Sequence, residues 1–231
     1  MGLDIHVMPL TRFLQGDYES PLERMFGNKV VRIGTARPSA SKEEADQFVK
    51  MLQDALSRKF NTSITWHDDG DVVFSEQFDF RAWHALRAYA AHQEYPATKG
   101  IFRKTERRYW QEENPEEHPG LMKIAKSAQS RFMHLVYHGD NCGYYFPADF
   151  DPPCVIDPER AMIVGSSVRL LAELEMLNKS IGMKRNLGDL KEGEAIASDD
   201  DPDGALKFGW AFMHHCATLS VEHKLPIIFD G

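Results

Sequence analysis

The stretch Leu3-Asp4-Ile5-His6-Val7 alternates apolar and polar side chains and is followed shortly by Pro9. A period of two predicts a β-strand with one buried face. At the other end of the sequence, Leu225-Pro-Ile-Ile-Phe229 is apolar and rich in residues that favour strands. The sequence therefore predicts a sheet to which both of these segments contribute.

Four segments between these strands carry apolar residues at helical spacing. The clearest begins after Ser41, which forms a capping box with Glu44. The segment at 206–217 is apolar around so much of its circumference that we expect the helix to be nearly buried. The four predicted helices cover residues 41–60, 80–93, 166–181 and 206–217.

Two β-hairpins and one more strand are predicted in the remaining sequence. Residues 62–66 and 72–74 flank Asp68-Asp69-Gly70-Asp71, whose Asp-Gly step favours a tight turn. Residues 132–137 are bulky enough for a strand that leads through a turn at 140–143 into 144–146, although a helix over 130–138 also fits. The additional strand is predicted at residues 29–33. These elements predict an α+β fold, with about four helices packed on a mixed or antiparallel sheet.

We expect residues 1–231 to form a single globular domain with two excursions from its core. Residues 99–118 carry a basic run followed by acidic residues and prolines. Residues 187–204 are rich in Asp, Glu and Gly, a composition that is typical of a flexible acidic loop. Both excursions are candidate sites for specific partners.

The charge and the cysteine content indicate which cell compartment and which classes of partner to expect. The chain has 27 Lys and Arg against 35 Asp and Glu, a formal net charge of −8. This charge repels the phosphate backbone, so we expect nucleic acid to be an unlikely partner. Three cysteines without a Cys-x-x-Cys pair fit a reducing cytoplasm, and no apolar run has the length of a signal peptide or membrane anchor.

The densest group of chemically useful side chains runs from His134 to Tyr145. On a strand, His134 and His138 would lie about 13 Å apart, too far to share a metal ion. His138 and Asp140 could converge at a strand end as ligands of a divalent metal ion. The resulting hypothesis is a metal-dependent hydrolase, with His134 as acid or base and Tyr144 or Tyr145 orienting the substrate. This hypothesis requires the corner to face a solvent-accessible hollow.

A structural interpretation of the same corner competes with the catalytic one. Asp140 and Asn141 would fold the turn, Gly143 would take a positive φ, and the tyrosines would pack against the sheet. If the segment is helical instead, His134 and His138 lie one turn apart and could converge.

The basic excursion supplies a candidate site for anionic ligands. Its guanidinium and ammonium groups could bind an anion, and its aromatic rings could stack on bases. An RNA- or nucleotide-binding module is therefore a further alternative. The candidate ligand-binding residues are Arg103, Lys104, Arg107, Arg108, Tyr109 and Trp110.

Three segments together resemble an uncharacterised family of small bacterial and phage proteins. They are Met1-Gly2-Leu3-Asp4-Ile5, Ala82-Trp83-His84-Ala85-Leu86, and His134-x-x-x-His138-x-Asp140-x-x-Gly143-Tyr144-Tyr145. The resemblance implies a cytoplasmic α/β domain with a strand before an aspartate-glycine turn. The family has no agreed activity, so the resemblance implies no catalytic residues.

No complete catalytic constellation stands out, and the charge is acidic. We therefore expect a cytoplasmic binding protein, an accessory or immunity-type factor of a bacterium or phage. Its expected partner is a protein or a small anionic ligand. The metal-dependent hydrolase and the RNA- or nucleotide-binding module are the alternatives, and the sequence leaves the oligomeric state open.

Overall fold

The computed structural model describes residues 2–26, 39–66, 68–97, 108–138, 142–157, 162–191, 194–198 and 200–230. Within these ranges, helices cover both faces of a six-stranded sheet. The strands are β1 (Gly2–Val7), β2 (Phe74–Asp79), β3 (Cys142–Phe146), β4 (Cys154–Asp157), β5 (Met162–Ser166) and β6 (Ile227–Asp230). The helices are α1 (Leu10–Gln15), α2 (Pro21–Phe26), α3 (Lys42–Phe60), α4 (Phe80–Glu94), α5 (Pro119–Ser127), α6 (Met133–Val136), α7 (Ser167–Ile181) and α8 (Gly204–His223).

The strands follow the order β2-β1-β6-β3-β5-β4 across the sheet. All neighbouring pairs are antiparallel except β3 and β5, which are parallel. The predicted α+β class and mixed sheet are therefore confirmed. The two segments that opened the sequence argument, β1 and β6, pair with each other in the interior of the sheet.

Alternate residues of the central strands enter two different hydrophobic cores. Ile5 and Phe229 pack with α4, α7 and α8 on one face of the sheet. Met8, which follows β1, and Ile228 pack with α1 and α3 on the other face. Because a strand alternates the direction of its side chains, one strand can supply apolar groups to both layers.

The four predicted helices are present, and α3, α4 and α7 have ends close to the predicted ones, whereas α8 continues to His223, six residues beyond its predicted end. Ser41 accepts a hydrogen bond from the Glu44 amide, and the Glu44 side chain accepts one from the Ser41 amide, which completes the capping box of α3. Asp79 caps α4 and Ser166 caps α7. Gly182 ends α7 in the left-handed conformation. Helix α8 is buried over much of its circumference, as predicted.

The hairpin predicted around Asp68 is wrong, because this acidic turn caps a helix instead. The Asp68 carboxylate accepts hydrogen bonds of 2.8 Å from the amides of Leu10 and Thr11 at the start of α1. Residues 62–66 are not in a strand, and β2 pairs with β1 rather than with them. The negative charge at the helix N-terminus satisfies amides that α1 leaves without partners.

The strand favoured at 132–137 and its hairpin with 144–146 are also wrong, whereas the predicted strand at 144–146 is present within β3. Residues 133–136 form α6, and β3 pairs with β5 and β6. Glu173 on α7 accepts hydrogen bonds from the amides of His134 and Leu135, at 3.0 and 2.8 Å. This long-range cap stabilises a helical turn in a segment whose bulky residues favour a strand.

Some predictions fall on residues outside the described ranges. They include the strand at 29–33 and the basic residues at 99–107. The described part of the acidic segment 187–204 contains a 3₁₀ turn at Leu187–Asp189, which Asn186 caps. Its flexibility stays a prediction. Within the described residues, no helix is both long enough and apolar enough to cross a membrane.

Helices α4 and α8 approach each other closely at Gly209. A Cβ atom placed there would overlap the carbonyl oxygen of Ala82 and lie 3.0 Å from its carbonyl carbon. Since both are backbone atoms, they cannot move aside without shifting α4 as a whole. Gly209 therefore sets the distance between the two helices.

We predict that Gly209→Ala lowers the free energy of unfolding, because overpacking of a close helix contact costs about 1–3 kcal/mol. The control is Gly204→Ala in the same helix, where the nearest atoms to a Cβ lie 3.8 Å away. Both variants gain helix propensity, so urea denaturation should show Gly204→Ala to be at least as stable as wild type. Equal stability of the two variants would contradict the close contact.

Candidate functional site

The two histidines of the predicted corner are buried. His134 is 1% exposed, and its Nδ1 accepts a hydrogen bond of 2.9 Å from the Ser166 amide. Its carbonyl oxygen accepts one of 2.8 Å from the hydroxyl of Tyr145. Its Nε2 lies 3.5 Å from a carboxylate oxygen of Asp151. These contacts join α6 to β3, β5 and the loop after β3.

His138 is fully buried, and its ring stacks on Tyr145 with 4.1 Å between the ring centroids. The edge of Phe229 packs against the same ring. A Cβ at Gly143 would overlap Nε2 of His138, so this close approach and a φ of +142° both favour glycine. Neither ring nitrogen of His138 forms a hydrogen bond with a described residue.

Burial controls the protonation of this corner. It lowers the pKa of His138 to about 3 and that of His134 to about 4, so both imidazoles are neutral at neutral pH. Burial raises the pKa of Glu173 to about 8, against the opposing effect of its two amide hydrogen bonds. Burial thus disfavours the charged forms of His134, His138 and Glu173 alike.

The prediction of an open hollow at this corner is wrong for His134, His138 and Tyr145, since all three are buried. Tyr144 is partly exposed and lines a separate cavity of about 600 Å³ next to α3. Asp140 lies outside the described residues, so its pairing with His138 around a divalent metal ion stays a prediction. Among the described residues, no group of three His, Cys, Asp or Glu side chains could hold a metal ion.

The basic-aromatic candidate site is only partly described. Arg103, Lys104 and Arg107 lie outside the described residues. Trp110 is 2% exposed, so the prediction that its ring stacks on a ligand is wrong. Its indole Nε1 instead donates a hydrogen bond of 2.9 Å to Asp203, at the start of α8.

The rings beside Trp110 also have structural contacts. The ring of Tyr109 packs edge-on against His118, with 4.8 Å between the ring centroids. The guanidinium carbon of Arg108 lies 5.4 Å from the ring centroid of Trp110. Aromatic residues that the sequence offers for base stacking thus hold the 109–118 segment against α4 and α8.

The acidic halves of the two excursions meet in one groove of about 1140 Å³, which we call the acidic groove. Most of its carboxylates come from two separate chain segments, 112–113 and 194–201, and Asp79 at the start of α4 adds a further one. Among the described residues that line it, Arg81 is the single cation. The acidic lining residues are Asp79, Glu112, Glu113, Glu194, Asp200 and Asp201.

Asp203 holds the two segments of the acidic groove together. Its Oδ1 accepts hydrogen bonds of 2.9 Å from Nε1 of Trp110 and from Nε2 of Gln111. Asp201 lies beside it and accepts hydrogen bonds from the Asp203 amide and from Lys207, at 2.9 and 2.6 Å. The contact with Lys207 lowers the pKa of Asp201, which keeps its carboxylate ionised.

The acids of the groove differ in how far their charge is balanced. Glu194 forms an ion pair of 2.7 Å with Arg185. Glu113 and Asp200 are exposed and form no ion pair with a described residue. These two side chains therefore present unbalanced negative charge to solvent.

Partly buried apolar side chains give the acidic groove a floor. Ala205 and Phe208 on α8 pack against the main core, as do Leu187 and Ile196. All four also line the groove. The sequence indicated both excursions as partner sites, but no spacing in it shows that residues 111–114 and 194–205 lie together.

A family model with the description "Putative DNA-mimic protein" matches residues 1–229. The chain belongs to this family. No curated protein and no solved structure matches the chain. This match agrees with the predicted resemblance to an uncharacterised family. It does not show that the motif at 134–145 is a feature of that family.

The partner prediction named a protein or small anionic ligand and treated nucleic acid as unlikely, and this second part is contradicted. The family to which the chain belongs is described as DNA-mimic, which is at odds with leaving nucleic acid out of the partner prediction. The error lay in treating the charge of −8 only as repulsion from nucleic acid. The same charge attracts the cationic surfaces with which proteins bind DNA.

We predict that His138→Phe flattens the pH dependence of stability. The folded-state pKa of His138 is about 3 and its ordinary value is 6.5, so its contribution to stability is complete above pH 6.5 and is lost as the pH falls towards 3. Removing the imidazole should reduce the slope of the unfolding free energy against pH by up to about 1.4 kcal/mol per pH unit in this window. Urea denaturation at several pH values measures the slope.

The control for this prediction is His223→Phe, since His223 is an exposed residue in the last turn of α8. We expect its slope to match that of wild type. A wild-type slope in His138→Phe would show that burial does not control this imidazole.

Proposed function

We propose that the protein binds a DNA-binding protein in place of DNA, and that the acidic groove is its contact surface. The observation that carries the proposal is the convergence of six carboxylates on one groove in a chain that belongs to the DNA-mimic family. Carboxylates and phosphates are both anionic oxygen acceptors, so the same Arg and Lys side chains can bind either.

The charge distribution supports this function. The chain has a net charge of −8, and among the described lining residues the groove sets six acids against one cation, Arg81. A groove lined by charge of one sign focuses the electrostatic field and speeds the approach of an oppositely charged partner. Arg81 is itself engaged, since its Nε donates to the carbonyl oxygen of Glu112.

The way in which two chain segments are joined in the acidic groove also supports the proposed function. DNA offers a protein two rows of phosphates beside a groove whose base edges are read. Here two chain segments supply carboxylates to one groove, and the Asp203 hydrogen bonds fix these segments to each other. A fixed arrangement lowers the entropy that is lost on binding.

We predict that the wild-type protein releases labelled DNA from at least one member of a panel of purified DNA-binding proteins. The panel comprises a helix-turn-helix repressor, a β-ribbon repressor and a minor-groove architectural protein. The triple variant Glu112→Gln, Glu113→Gln, Asp200→Asn should require about tenfold more protein for the same release. Fluorescence anisotropy of the duplex measures the release.

The matched control neutralises Asp54, Glu175 and Glu222, three exposed acids that do not line the groove. It removes the same amount of charge and should behave as wild type. An equal loss in both variants would contradict the role of the groove. Failure to release the duplex from every panel member would contradict DNA mimicry, as would a change in duplex anisotropy when the protein alone is added.

A further inference from the structure

The floor of the acidic groove is apolar, although its acidic lining alone would suffice for a cationic partner. Phe208 and Ile196 are only partly buried, and both line the groove. Phe208 packs at its inner side against Phe78 and Phe212, with 6.2 and 5.9 Å between the ring centroids. A surface that bound only the charges of its partner would gain nothing from apolar groups exposed at its base.

We propose that the groove receives an α-helix of the DNA-binding partner, with an apolar ridge on the floor and Arg or Lys side chains on both flanks. This inference rests on the proposed function and names the part of the partner that enters. The acidic groove then takes the place of both the phosphates and the major groove of DNA. Helices of many DNA-binding proteins insert into that major groove.

The size of the groove fits this occupant. A helix with its side chains is about 10 Å across and rises 1.5 Å per residue, so the groove volume of about 1140 Å³ corresponds to roughly three turns. A single extended cationic side chain or a small polyamine would leave most of this volume filled with water. The groove therefore has room for a secondary-structure element.

The chemistry of the lining fits the same occupant, because two chain segments each contribute an exposed carboxylate. Glu113 comes from the segment before α5, and Asp200 comes from the segment before α8. Cations on both flanks of a helix could reach these carboxylates while the side chains between them contact Phe208 and Ala205. An amphipathic helix in a groove is a recurrent mode of recognition, with anchors spaced three and four residues apart.

The Asp203 contacts determine the shape that the helix would meet. Because Trp110 and Gln111 donate to one carboxylate oxygen of Asp203, the 109–113 segment is attached to the first turn of α8. Ala205 lies in this turn. The floor and one acidic segment of the groove are thus fixed relative to each other before a partner arrives.

The test uses a synthetic peptide of about 18 residues, long enough to form a helix in isolation, with leucines on one face and arginines on both flanks. A second peptide has the same charge and leucines but two central prolines, which prevent the helix. Isothermal titration with the wild-type protein should give a Kd about tenfold lower for the helical peptide. Equal affinity of the two peptides would overturn the inference, because the groove would then recognise charge alone.

Two variants fill the groove without changing its charge. Ala205→Trp places an indole on the floor, and Ala195→Trp places one at an exposed lining residue, where folding should be unaffected. Each should raise the Kd of the helical peptide by about tenfold. The control is Ala172→Trp on the exposed side of α7, which should bind as wild type. Unchanged binding in Ala195→Trp, with a wild-type unfolding midpoint, would also overturn the inference.

The duplex-release assay separates this inference from the proposed function. If wild type and Ala195→Trp release DNA equally well, DNA mimicry stands and helix insertion is wrong. If the helical peptide binds as expected but no DNA-binding protein is displaced, the groove binds helices and the proposed function is wrong.

Discussion

Helices α4 and α8 touch backbone to backbone where Gly209 lies against the carbonyl group of Ala82. Ala82 also lines the acidic groove, and Phe208 precedes Gly209 in the chain. A larger residue at 209 would separate the first turns of the two helices, on which the groove is built. The shape of the acidic groove therefore depends on the absence of a side chain at Gly209.

Several ionisable groups in the interior of this protein are held in their neutral forms, whereas its surface carries many acidic groups. Inside, burial keeps His134 and His138 neutral and raises the pKa of Glu173 to about 8, so the core carries little charge at neutral pH. Outside, Glu113 and Asp200 are exposed and form no ion pair with a described residue. The net charge of −8 is thus carried at the surface, where water and a partner can reach it.

Local signals in the sequence predicted the elements that depend on local interactions. The capping box at Ser41, the strand β1 and the apolar stripe of α8 needed no distant partner, and all three are confirmed. The prediction that only one face of β1 is buried is wrong, because His6 on the other face is 0% exposed. The roles of Asp68 and Glu173, in contrast, depend on partners that are distant in the sequence. Each carboxylate caps a helix that is distant in sequence, so the turn signal at 68–71 and the strand signal at 132–137 were overridden by tertiary contacts.

The groove was missed for a related reason. Its two acidic segments are separated by about eighty residues, and composition alone predicted a charged excursion for the first and a flexible acidic loop for the second. Like charges that converge repel each other, so the arrangement requires attractive contacts to maintain it. Asp203 supplies them by accepting two hydrogen bonds from the opposite segment, and Lys207 and Arg185 offset part of the charge. The repulsion that remains at Glu113 and Asp200 would be relieved by a cationic partner, and that relief adds to the free energy of binding.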